Sequence, residues 1–465
     1  MPADPWNLAA IRVKLHTRTS TQGFTRMVRS CLIPFAVAVQ VAVTTPATAQ
    51  SAGDLGAMLD QAQRFTVKVR STVLWPFAPE TIGTGAGTGF IIDHDKGWIL
   101  TNAHVARRSP ATVEVAFGES EGEWHPAQRL YVDNHLDIAV LKVAADNLPP
   151  DSTAAKLGCT HTVKQGTTVV AYGHPVSFNF TATRGIVSSV RTLNSHEFVQ
   201  MDANINPGNS GGPLLAADVA EVIGINTANV AGAPGLGLAL AIRHVCPVLD
   251  LLAKGADPSL PSLPIYWLKQ GRIETLTIAA AFPPNSADNG IGDDGLKPGD
   301  VVQSIAAGPK LASLPELNTA LRGRRDQVTV EILRDGKVRS VSVPLIPARP
   351  PLQRQGLAFS GLMVTEGINL DAADSNLPPL RIEFIKPGEA AARIGLRPGD
   401  RLDMVGGRRF ATVAALHDWL KGRPPAEKVP VLVRRASGAD PRVTAEYYRF
   451  ELQPADLRLL TANES

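Results

Sequence analysis

The chain has 465 residues, a length that calls for about three domains at ~150 residues each. With 44% hydrophobic and 19% charged residues it is globular in composition, which excludes a disordered or fibrous protein. The formal charge of +3 is carried by the first 49 residues, where Arg12, Lys14, Arg18, Arg26 and Arg29 face one acid, Asp4; the remainder is close to neutral, and nothing in it favours nucleic acid as a partner.

From Met27 a short basic segment with Arg29 is followed by the apolar run Leu32–Val43 and by Ala47-Thr48-Ala49, a small-x-small pattern. This predicts a leader over 1–49, with a signal peptide cut after Ala49 and an exported product. The run is interrupted by Pro34 and falls short of the ~20 apolar residues that a membrane span needs; an uncut leader would instead tether the protein. Cleavage removes Cys31 and leaves Cys159 and Cys246, which are compatible with a disulfide and equally with two separate small apolar residues.

In chain order, Leu55, Met58, Leu59 and Ala62 predict a short amphipathic helix in an N-terminal segment, 50–64. Short β-rich runs then follow at 65–69, 89–92, 98–101, 112–115, 138–143, 167–172, 185–190, 198–201 and 222–226, the pattern of an antiparallel barrel or sandwich. Val245, Val248, Leu249 and Leu252 have helical spacing and close this domain, 65–254, before a Pro-rich linker at 255–262. Beyond the linker Gly295-Leu296-Lys297-Pro298-Gly299-Asp300 recurs as Gly395-Leu396-Arg397-Pro398-Gly399-Asp400. Each copy leads into a β-like run and then a helix, with Leu314, Leu317 and Leu321 in the first matching Val413, Leu416 and Leu420 in the second. A duplicated domain explains this, with units at 263–349 and 350–455 and a tail at 456–465.

The chemistry gathers around Asn206-Pro207-Gly208-Asn209-Ser210-Gly211-Gly212-Pro213-Leu214. A serine boxed in by glycines suits a tight loop that exposes a nucleophile and turns backbone N–H groups toward a reacting carbonyl. Such a serine needs a base, and the base an orienting acid. His104 follows the strand 98–101, and Asp137 heads the apolar run 138–143, where a carboxylate can take the imidazole Nδ1–H. His94, His125, His135, His161, His174 and His196 lie in polar or turn-rich contexts, and no His/Cys/Asp spacing makes a convincing metal site.

Thr101-Asn102-Ala103-His104-Val105, Leu136-Asp137-Ile138-Ala139-Val140 and Asn206–Leu214 resemble the three catalytic blocks of the HtrA (DegP/Deg-type) serine endopeptidases, and the likeness extends over about 65–245. The resemblance implies a mainly β chain: a trypsin-like double six-stranded β-barrel followed by two PDZ-like α+β domains. It implies His104 as base, Asp137 as its orienter and Ser210 as nucleophile. The oxyanion hole falls in Gly208-Asn209-Ser210, chiefly the Gly208 and Ser210 amides. By analogy the S1 base lies near Asn204 and Ile205, which argues for aliphatic P1 residues. Phe359-Ser360-Gly361-Leu362 fits the glycine loop with which a PDZ domain binds a peptide C-terminus, whereas the first unit lacks that loop and is expected to be a degenerate scaffold. The segments 74–84 and 191–197, regulatory in the family, are short here, and Arg191 is a candidate sensor. The implied protein is a periplasmic or otherwise exported homotrimer that needs no cofactor and degrades unfolded or damaged proteins. The same residues fit a chaperone or PDZ scaffold with a latent or misaligned triad.

Overall fold

The computed structural model describes residues 52–118, 123–174, 180–193, 195–229, 235–270, 273–282, 295–367, 378–437 and 445–463. The expected leader and its cleavage site after Ala49 lie outside them. The chain is mainly β. Its first sheet has seven antiparallel strands in the spatial order His125–Pro126, Ala111–Ala116, Thr66–Val73, Gly83–Asp93, Trp98–Asn102, Ile138–Lys142 and Gln128–Asp133. The helix Ala52–Phe65 lays Met58, Ala62 and Phe65 into the core beneath it. Six further strands form a closed barrel: Thr168–Gly173, Thr181–Leu193, His196–Met201, Pro213–Ala216, Glu221–Asn229 and Gly237–Ala241. The expectation of two six-stranded barrels thus describes the second half and needs correction in the first. There a seventh strand is added, and it is only two residues long because Pro126 has no N–H to extend the ladder. Cys159 and Cys246 are joined in a disulfide, which ties the entry of the barrel to its closing helix, Cys246–Ala253.

The repeat seen in the sequence is a repeat of bonding. In the first copy Asp300 accepts two 2.7 Å bonds from Arg334, which also reaches the Gly295 carbonyl, and a third from the Lys297 amide. In the second, Asp400 takes two 2.7 Å bonds from Arg435, Arg435 reaches the Gly395 carbonyl, and the Arg397 amide completes the set. Each carboxylate locks its turn to the strand three elements downstream, Gln327–Arg334 or Val429–Ala436. The helices Leu314–Leu321 and Val413–Lys421 bury the leucine stripes that the spacing predicts.

The copies differ ahead of that shared core. The first begins with the strands Ile265–Gln270 and Ile273–Ala281, the former at the sheet edge. In the second, Leu362–Glu366 is covered by Gln355–Phe359, and that strand in turn by Arg458–Thr461. Phe359-Ser360-Gly361-Leu362 is therefore not an open carboxylate-binding loop. Ser360 and Gly361 have φ of 51° and 79° and form the two-residue turn of a hairpin. The Ser360 amide is consumed by the Ala455 carbonyl, and Phe359 and Leu362 are buried.

Both units dock on the protease-like half. The helix Leu314–Leu321 is followed by Arg322, whose guanidinium donates to Asp133 at 2.6 Å and to the Pro258 carbonyl at 2.8 Å, with both charged side chains almost fully buried. Burial alone would push the Asp133 carboxyl up; Arg322 and the Leu136 amide outweigh it and hold it below the usual carboxylate range. Beside it Asn318 Nδ2 donates to His135 Nε2 at 2.8 Å, and His135 packs on His196 with ring centroids 4.2 Å apart. The second unit meets the loop that follows Thr66–Val73: Trp75 and Phe77 bury against Ala358, Met363 and Ala462, and the Ala78 amide donates to Glu383 at 2.6 Å.

Two expectations follow. Arg322→Ala leaves the Asp133 carboxylate buried and unpaired, and is expected to cost about 3–5 kcal/mol, read as a lower urea midpoint and faster proteolysis across 255–262. Burial, followed by the neighbouring His196, lowers the His135 pKa to about 3, so the ring is neutral and accepts from Asn318. Its contribution is complete above the unfolded value near 6.5 and is lost as pH falls toward 3. Stability should therefore drop by roughly 2 kcal/mol per such histidine between pH 6.5 and 5. His135→Gln, which keeps an acceptor without the base, should flatten that slope in denaturation curves recorded at each pH.

Candidate active site

Sheet register brings His104 and Asp137 together. Trp98–Asn102 pairs with Ile138–Lys142 so that Asn102 lies opposite Ile138. The one-turn helix Ala103–Ala106 and the turn ahead of Ile138 consequently emerge side by side. His104 Nδ1 donates to Asp137 Oδ2 at 2.6 Å, and the His104 amide donates to Oδ1 at 3.0 Å. Asn102 Nδ2 holds the Asp137 carbonyl at 2.9 Å. Asp137 has φ 54°, a left-handed conformation that aspartate tolerates, and is buried, whereas the His104 side chain is 40% exposed to the cleft. A carboxylate so placed fixes the Nδ1–H tautomer and leaves Nε2 free to act as a base.

The serine loop is stapled to the first sheet by one threonine. Thr88 donates its amide to the Ser210 carbonyl (2.9 Å) and its hydroxyl to the Gly208 carbonyl (2.7 Å). It accepts the His174 amide on that hydroxyl (2.9 Å) and the Thr101 hydroxyl on its own carbonyl (2.6 Å). Within the loop the Asn209 amide closes a turn onto Asn206 O at 3.0 Å, so Asn209 is not a donor to an oxyanion, contrary to its inclusion above. Among the described residues the Gly208 and Ser210 amides meet no protein acceptor. Gly208 has φ 105° and Gly211 φ 85°; a Cβ on Gly211 would lie 2.1 Å from Thr88 O. The Ser210 hydroxyl donates to the Thr227 carbonyl at 3.1 Å.

The sequence profile of the trypsin-like peptidase domain matches 87–225, and that of the PDZ domain matches 381–435. A protein of Halomonas elongata described as a probable periplasmic serine endoprotease, DegP-like, is 32% identical over 378 residues, covering 75% of this chain and 76% of that protein. The chain belongs to the DegP/HtrA family of serine endoproteases. One of the same description in Chlamydia pneumoniae is 29% identical, covering 74% of this chain and 72% of its own length. Among solved structures, the HtrA-type protease AlgW with a tripeptide superposes with a TM-score of 0.50 at 26% identity, over 64% of this chain and 98% of that one. The protein is a serine endopeptidase.

The other expected residues of this DegP/HtrA-type chain fall out unevenly. Ile205 is buried in the barrel, where Gly237 leaves it room: a Cβ there would come within 3.1 Å of Ile205 and 3.3 Å of Met201. Asn204 turns outward and is exposed, so it does not share that floor. Arg191 lies in the hairpin opposite Phe198 and is exposed. His174 is buried behind the serine loop, and burial lowers its pKa to about 3, so it serves as a neutral structural ring. Thr88 and Arg108, which donates to Asp137 Oδ1 at 3.0 Å, escaped the reading of the sequence. The signal for Thr88 was its place in the glycine-rich run Gly83–Gly89; nothing local announces Arg108. Thr88→Val should release the Gly208 carbonyl and lower kcat by about 10²-fold with little change in KM, measured on a fluorogenic peptide.

Proposed function

We propose that Ser210 cleaves peptide bonds by acyl-enzyme chemistry, with His104 as general base and acid, Asp137 as its orienter and the Gly208 and Ser210 amides as oxyanion donors. The observation that carries this reading is the 2.6 Å His104–Asp137 bond beside a serine loop with two uncommitted amides. His104 Nε2 takes the Ser210 proton as Oγ attacks the scissile carbonyl. The negative oxygen is received by the two amides, and the imidazolium, held by Asp137, returns its proton to the leaving amine. Water then repeats the cycle to free the acid. The buried apolar Ile205 and the lack of an acid at 204–205 favour aliphatic P1 side chains.

The substrates are unfolded or damaged proteins, and the protein works outside the cytoplasm, in the periplasm or an equivalent space, after removal of its leader near Ala49. The periplasmic descriptions of its relatives and the Cys159–Cys246 bond support export. The unit at 263–349 is a second PDZ-like module, supported by its shared carboxylate lock, and the working assembly is a homotrimer. A resting state without proteolysis is the second reading, favoured by one contact: Ser210 Oγ is engaged with Thr227 rather than with the base. Activation then amounts to rotating that side chain about χ1.

Casein should be degraded by the wild-type chain, with a loss of more than about 10³-fold in Ser210→Ala; equal rates would remove the assignment. Labelling by a fluorophosphonate separates the readings further, since a resting serine reacts only when a substrate or activator is added.

A further inference from the structure

The backbone just beyond the catalytic helix is strained and held from several sides. Arg107 has φ 66° and ψ 153°, a conformation almost confined to glycine. Glu80 accepts the Arg108 amide at 2.9 Å and the Ser109 amide at 3.0 Å. Arg129 donates to the Arg107 carbonyl at 2.9 Å and the Ser109 carbonyl at 2.8 Å, while the Ser109 hydroxyl accepts the Phe77 amide at 2.8 Å. Strain of this kind persists only where neighbours over-determine it, and it concentrates at functional sites. Its visible product here is the aim of Arg108, whose Nη2 reaches Asp137 Oδ1 at 3.0 Å while its Nε is held by Asn134 at 2.7 Å.

We propose that Arg108 is a positioning residue for the triad, a second cation on the carboxylate that serves His104, and that its aim is relayed from the second repeat unit through the loop Trp75–Glu80. Asp137 offers one oxygen to the imidazole and the other to the guanidinium and the His104 amide. The carboxylate is thereby fixed in plane and cannot rotate away from Nδ1. Part of its charge is also spent on Arg108, so that the imidazolium gains less from it. Among the described residues, the charged and titratable groups that bond Asp137 are His104 and Arg108; Glu80 stands one peptide behind, and Asp133 and His135, on the same turn, engage Arg322 and Asn318. The relay is continuous. Trp75 and Phe77 are seated on Ala358 and Met363, the Ala78 amide is held by Glu383, and Arg129 also binds the Ala462 carbonyl.

This proposal rests on Asp137 being the orienter, and its test is separable from turnover. In a Ser210→Ala background, titration of the His104 ring is followed by NMR on histidine-labelled full-length protein. Arg108→Ala should move the midpoint to higher pH by about one unit, and Arg108→Lys should return it toward the starting value. Should Arg108→Ala fail to fold, Arg108→Gln, which can keep the contact to Asn134 without the cation, gives the same reading. Glu80→Ala should move the midpoint in the same direction by less. In the Ser210 enzyme, Arg108→Ala should lower kcat about tenfold with KM within about twofold. An unmoved midpoint in both Arg108→Ala and Arg108→Gln overturns the assignment. An unmoved midpoint in Glu80→Ala overturns the relay. Casein cleavage indifferent to Ser210 would instead sink the catalytic reading, with the NMR result still judging Arg108.

Discussion

The turn from Asp133 to Asp137 carries two carboxylates in the protein interior, and neither can stay charged there without partners. They face opposite ways. Asp137 looks into the cleft and is satisfied by His104 and Arg108; Asp133 looks outward and is satisfied by Arg322 of the first repeat unit, with Tyr131 donating beside it. Three residues therefore separate the carboxylate of the candidate active site from the ion pair that docks a neighbouring domain. One short turn thus meets both His104 and the first repeat unit.

The repeat units show how a common lock accommodates different edges. Asp300 with Arg334 and Asp400 with Arg435 fix the same turn with the same set of bonds, so the core beneath each is free to diverge elsewhere. Divergence is concentrated at the strand that precedes the lock. In the first unit Ile265–Gln270 ends the sheet; in the second, two more strands from the same chain are laid on, and the last sends Leu459 toward its own domain and Leu460, with Ala462 just beyond the strand, toward Trp75 and Phe77. The second unit is thereby packed on the protease-like half beside its added strand, as the first is through Arg322.

Legibility followed locality. His104, Asp137 and Ser210 could be read because each sits in a short block whose neighbours make its backbone, and the helices Leu314–Leu321 and Val413–Lys421 because their leucines repeat at helical spacing. The strands Gln128–Asp133, Pro213–Ala216 and Gly237–Ala241 went unread, being short or rich in small residues. Phe359–Leu362 misled because a Ser-Gly pair between apolar residues codes equally for a two-residue hairpin turn, and only the remote strand Arg458–Thr461 decides between them. Arg108, Arg129 and Arg322 were illegible for a related reason. An arginine reaches far from its own backbone, so its partner is set by tertiary structure alone.

The bond between Cys159 and Cys246 makes the second barrel a covalent ring, its ends 87 apart in sequence and Ser210 inside it. In the chain-entropy picture a loop of that size removes about 4–5 kcal/mol of freedom from the unfolded barrel. The ring closes upstream of the linker, so the repeat units hang from it as appendages. Either unit can let go of the catalytic half, or be cut away, without handing the barrel a loose end from which to unravel. Ser210 thus lies in a part of the molecule that a single nick in a surface loop cannot release.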